Sequence, residues 1–100
     1  MSWDRWTKEK IRELIENNPR AVTRGIVAIY NLQTQEEKLG RHAKVGNGLG
    51  FSQYDAGFLS SLAQQLIAGQ TLSRKQFDAG RRAIKKYAGQ LAKIANGEIQ

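Results

Sequence analysis

Hydrophobic positions recur every three to four residues in four separate blocks of this chain, each bounded by residues that start or stop helices. In the first block Trp6, Ile11, Leu14 and Ile15 share one side of a helix that begins near Asp4 or Thr7 and ends about Asn17. Asn18-Pro19 restarts the chain, because asparagine caps helix N-termini and proline fits the first helical position. A second helix therefore begins at Pro19, with Val22, Ile26, Val27, Ile29, Tyr30 and Leu32 on its apolar face. Gly25 to Tyr30 is also rich in strand formers, but the helical spacing on both sides and the lack of a strand partner favour helix. Thr34-Gln-Glu-Glu37 has capping-box spacing, which predicts a kink or a short extra helix there.

Gly40 to Gly50 breaks the pattern. It holds four glycines and Asn47 without apolar periodicity, and it is predicted to be a loop of the kind that often carries binding residues. Capping residues between Ser52 and Asp55 then open a third helix, whose apolar positions are Tyr54, Phe58, Leu59, Leu62, Leu66 and Ile67, and Gly69 ends it. The last block, Leu72 to Gly97, reads as one amphipathic helix. Ser73 is its N-cap, Gln76 completes a capping box, Leu72 and Phe77 form a hydrophobic staple, and Asn96-Gly97 is the stop. The fold class is all-α: a compact bundle of four main helices with one Gly-rich loop at about 40–51, in a single domain spanning 1–100.

Charge changes the picture in the last block. Counting about 100° per residue from Arg74, the apolar Phe77, Ile84, Tyr87, Ala88, Leu91, Ile94 and Ala95 fall between roughly 200° and 320°. Arg74, Lys75, Arg81, Arg82, Lys85, Lys86 and Lys93 fall between roughly 340° and 120°, with Lys75, Arg82, Lys86 and Lys93 central and the rest at the edge. Asp78 alone interrupts this stripe. Solvated helix faces usually mix signs at i,i+4, whereas Arg81-Lys85 and Arg82-Lys86 are like-charged pairs that each cost a few tenths of a kcal/mol in an isolated helix. Such a face is expected to meet an anion, phosphate ahead of a protein carboxylate, with plain solvation as the alternative.

The whole chain has 100 residues and a formal net charge of +7. A balance this basic suits polyanionic partners, because Lys and Arg that neutralise phosphates release condensed counterions. The absence of cysteine excludes disulfides and thiolate metal sites. No signal-like or membrane-spanning apolar run is present, so a cytoplasmic protein without a membrane role is expected.

Other candidate chemistry is sparse. Gly46-Asn47-Gly48-Leu49-Gly50-Phe51 lacks the Gly-Lys-Ser/Thr ending of a phosphate loop and follows no strand. What remains is a segment with Arg41, His42 and Lys44 before it and Phe51 and Tyr54 after it, a mixture able to hold a phosphate backbone and stack a base. Phe51 is expected in the core, and Tyr54 is left open. His42 is the sole histidine, so no metal site is expected, and with nothing to orient it no catalytic residue is assigned. Glu9, Glu13 and Glu16 read as a solvated face or a counter-charge. Trp3 and Trp6 are expected to pin the first helix to the core or to form a stacking or dimer contact. Gly80, in the apolar arc, predicts close helix approach, while Gly89, in the basic arc, marks either a site kept clear for a ligand or a tolerated weakness.

The segments Asn47-Gly-Leu-Gly-Phe51, Asp55-Ala-Gly-Phe-Leu-Ser-Ser-Leu-Ala63, Leu72-Ser-Arg-Lys-Gln76 and Lys86-Tyr-Ala-Gly-Gln-Leu-Ala-Lys-Ile-Ala-Asn96 resemble those of small modules from phages and mobile elements. Some similar segments lie beside helicase-like or other nucleic-acid-processing regions, so the resemblance implies nucleic acid rather than membrane as the partner. The expected function is a non-enzymatic nucleic-acid-binding module, monomeric or homodimeric, that needs no cofactor and contacts mainly the phosphate backbone. DNA and RNA remain equally open. The alternative is a phage-type interaction module or inhibitor that docks on a host nucleic-acid enzyme such as a CRISPR effector.

Overall fold

A computed structural model describes residues 5–38 and 50–97. Helix α1 spans Lys8–Asn17, α2 Pro19–Lys38, α3 Gln53–Ile67, α4 Arg74–Ile84 and α5 Ala88–Ala95, with a 3-10 turn, Lys85–Tyr87, between the last two. The architecture is all-α, and its four main helical segments are those expected, the fourth being broken. The 40–49 part of the loop lies outside the described residues, Arg41, His42 and Lys44 with it, as does Trp3.

Local chemistry explains the boundaries. The Thr7 hydroxyl accepts the Lys10 N–H (3.2 Å) at the start of α1, and the Asn18 side chain accepts the Arg20 N–H (2.9 Å) ahead of α2. Thr34 begins no new helix. Its hydroxyl turns back onto the Tyr30 and Asn31 carbonyls and α2 continues to Lys38, so no separate short helix forms there. Helix α3 closes in a Schellman motif: Gly69 has φ +87°, and the Gln70 N–H reaches the Gln65 carbonyl at 3.0 Å. Ser73 and Gln76 form the capping box that starts α4, with both reciprocal bonds present.

The apolar faces meet in one core built around Ile15, Val22, Ile26, Ile29, Leu59, Leu62 and Ile84, each fully buried. Helix α2 is its centre and packs against α1, α3, α4 and α5. The N- and C-terminal ends of the described bundle are clasped together by one side chain. Asn96 accepts the Trp6 N–H (2.8 Å) and donates to the Trp6 carbonyl (2.9 Å), while the Trp6 ring stays 40% exposed.

Gly80 allows the close approach expected of it, since a Cβ there would lie 3.1 Å from Leu62 Cδ1 and 3.2 Å from Ile26 Cδ1. Gly89 is covered from within the chain, because a Cβ there would meet Lys8 Cε at 3.2 Å. Around Gly57, on the outer side of α3, there is open space. Opposite outcomes follow for two substitutions. Gly57→Ala should stabilise the fold by about 0.5–1 kcal/mol through helix propensity, and Gly80→Val should destabilise it by about 1–3 kcal/mol through overpacking, both read by thermal or denaturant unfolding.

Candidate functional site

The continuous terminal helix expected from Leu72 to Gly97 is interrupted at Lys85–Tyr87. Tyr87 leaves helical geometry (φ −103°, ψ 17°), and the cause is a bond outside its own helix. Its hydroxyl donates to Asp55 Oδ2 at 2.6 Å and accepts the Ser52 N–H at 2.9 Å, while its ring meets Phe51 edge-on with centroids 5.6 Å apart. Asp55 is buried at 7% exposure in the first turn of α3, where Ser52 Oγ also donates to it. Tyr87 thus fills its expected apolar position and carries a polar tip that the sequence pattern does not reveal. Phe51 is in the core as expected.

Lys86 completes this cluster. Its Nζ lies 2.9 Å from Asp55 Oδ2 and 3.1 Å from Oδ1, and 5.5 Å from the centre of the Tyr54 ring. The Tyr87 bond, assisted by Lys86 and Ser52, holds the Asp55 carboxyl below its ordinary range against the opposing effect of burial. Burial, then the neighbouring Asp55 carboxylate, pushes the Tyr87 phenol up, so this tyrosine stays protonated and donating. The Asp55 contact raises the Lys86 ammonium.

The break also divides the basic stripe. Across the α3–α4 seam Gln65 and Gln76 exchange side-chain hydrogen bonds (3.2 and 3.0 Å), Leu62 meets Gly80, and Asp55 meets Tyr87. Those three contacts make the two segments antiparallel. They also place Lys75, Arg82 and Lys86 on the flank nearer α3, with the partly buried Ala79 and Ala83 between. Arg74 and Arg81 lie on the opposite flank, bordering an open groove of about 670 Å³ whose other walls include Pro19, Thr23, Leu66 and Phe77. Arg81 lies 3.9 Å from Asp78, and Lys85 is paired with Glu16 of α1. Lys93 is exposed on α5, beyond the break.

Two expectations change as a result. The like-charged pairs do not all await an external anion, because Arg81, Lys85 and Lys86 already face carboxylates. Glu16, read as a solvated face or counter-charge, is the counter-charge of Lys85. Arg74, Lys75, Arg82 and Lys93 are exposed and form no ion pair among the described residues.

On α3, Tyr54, which the sequence left open, is 90% exposed, and Phe58, placed on the apolar face, is 41% exposed. Both lie at the rim of the helix next to α4, and Phe58 was legible only as an apolar position. Among the described residues no three His, Cys, Asp or Glu side chains group as metal ligands, and no helix is long and apolar enough to cross a membrane. Comparison of the chain with protein-family models, with curated proteins and with solved structures finds no match.

Asp55, and Glu16 through Lys85, give the fold an acid response. A carboxylate depressed in the folded state adds stability above the ordinary carboxylate range and loses it as pH falls through the folded value. Unfolding free energy should therefore drop on acidification below about pH 4, and less steeply in Asp55→Asn. At neutral pH Tyr87→Phe should cost about 1–3 kcal/mol, measured by denaturant unfolding.

Proposed function

We propose that this chain is a non-enzymatic nucleic-acid-binding module that grips the phosphate backbone with weak sequence preference. The observation that carries the reading is the set Arg74, Lys75, Arg82 and Lys93: exposed cations on one segment, free of carboxylate partners among the described residues, in a chain of net charge +7. Ammonium and guanidinium groups already neutralised by Asp55, Glu16 or Asp78 have less to gain from a phosphate. The unpaired ones keep their full attraction and release counterions on contact. The resemblance to phage and mobile-element modules points to the same partner. Arg41, His42 and Lys44, outside the described residues, are proposed as further phosphate contacts, and Tyr54 would offer a stacking face.

Lys75 and Arg82 give the cleanest test. Lys86→Glu would set a second carboxylate against buried Asp55 and disturb the fold, whereas Lys75 and Arg82 have exposed side chains with no ion pair to lose among the described residues. In fluorescence anisotropy with short DNA and RNA oligonucleotides, wild-type affinity should fall steeply between about 50 and 200 mM salt. Lys75→Glu/Arg82→Glu should weaken binding at least about tenfold with an unchanged melting temperature. Unaltered affinity in that variant contradicts the reading. A single stoichiometric protein partner captured after nuclease treatment, with no oligonucleotide bound at low salt, would instead establish the interaction-module alternative.

A further inference from the structure

The α3–α4 seam carries two kinds of exposed side chain that a duplex does not need together. On the α3 side are Tyr54 and Phe58, one helical turn apart and exposed at 90% and 41%. On the α4 side are Lys75, Arg82 and Lys86, exposed along the antiparallel partner. Between the Leu62–Gly80 and Asp55–Tyr87 contacts, Arg82 lies level with the turn of α3 that carries Phe58. Gly57, on the outer side of α3 beside Tyr54, has open space around it, so no side chain crowds the exposed ring from that side. The Lys86 ammonium, held by Asp55, is within 5.5 Å of the Tyr54 ring centre.

Resting on the nucleic-acid reading above, we infer that the ligand is single-stranded and lies along this seam, with bases stacked on Tyr54 and Phe58 and phosphates on Lys75 and Arg82. A paired duplex hides its base faces inside the helix and offers a protein phosphates and groove edges, leaving two exposed rings without a partner. A single strand presents π-faces and phosphates alternately, and base–aromatic stacking tolerates any sequence. Electrostatic complementarity selects a polyanion, and the rings select one with free bases. Lys86, neutralised in part by Asp55, lies over the Tyr54 ring and leaves the main phosphate contacts to its unpaired neighbours.

The test compares oligothymidylate of about 15 nucleotides with a duplex of equal length, by anisotropy on the full chain at two salt concentrations. Wild-type protein, Tyr54→Ala, Tyr54→Ala/Phe58→Ala and Arg82→Glu are measured in parallel, each checked by thermal melting. The expected result is tighter binding of the single strand. The aromatic double variant should lose about 5- to 100-fold in single-strand affinity with little change for the duplex, and Tyr54→Ala, at a position 90% exposed, should show part of that loss in a fully folded protein. Equal binding of both forms, insensitive to the aromatic variants but weakened by Arg82→Glu, overturns the single-strand inference while leaving the phosphate-contact reading intact. No binding of either oligonucleotide at low salt overturns both.

Discussion

The bond from the Tyr87 hydroxyl to the Asp55 carboxylate ties the first turn of α3 to the middle of the C-terminal segment, and much of the surface follows from it. A carboxylate at 7% exposure is tolerated only when its oxygens are satisfied, and here Tyr87, Ser52 and Lys86 all converge on it. To reach it Tyr87 leaves α-helical geometry, and the three residues Lys85–Tyr87 tighten into a 3-10 turn. A 3-10 turn advances about 120° per residue instead of about 100°, so the face presented by α5 does not continue the face of α4. Helix α5 is thereby free to lie on α1, while α4 stays against α2 and α3.

The same geometry sorts the cations. Lys86 is drawn to Asp55 and Lys85 to Glu16, one toward each side of the segment. Arg81 faces Asp78, with Arg74 beside it on the rim of a groove shared with α2. Lys75 and Arg82 remain outward, Arg82 level with the stretch of α3 that exposes Phe58 and Lys75 nearer that helix's C-terminal end. What a helical wheel draws as one stripe is therefore several local environments, distinguished by which carboxylate lies within reach. Internal neutralisation lowers the drive of a given cation toward an external anion, so position on a wheel is a poor guide to which lysine matters.

Much of the architecture was legible from the residues because its signals are local. Caps at Thr7, Asn18, Ser52 and Ser73 act within a few residues of themselves, as do the glycine stop at Gly69 and the staple at Leu72 and Phe77, and helical periodicity then assigns the core. Gly80 was legible as well, since a glycine inside an apolar arc has few reasons other than close packing. The break at Lys85–Tyr87 was not, because no glycine or proline marks it and its cause lies 32 residues away in Asp55. Periodicity likewise could not separate Phe58, at the rim of α3, from Leu59 and Leu62 in the core, as all three satisfy the apolar spacing. Gly89 shows the converse: its place in a basic arc left a ligand or a tolerated weakness open, and the Lys8 stem, which the sequence does not place, lies against it.

Taken together, a buried polar cluster breaks the terminal helix, the break divides the basic residues, and the division leaves the α3–α4 seam as the surface on which unpaired cations and exposed aromatics coincide. The most direct measurement is a residue-resolved NMR titration of the full chain with oligothymidylate at low salt. The expected result is that amide shifts concentrate in residues 54–61 of α3 and in residues 75–86, with a smaller response at Lys93 and α1 nearly unmoved. Shifts running evenly from Arg74 to Lys93 along one continuous helical face, or centred on α5, would contradict it.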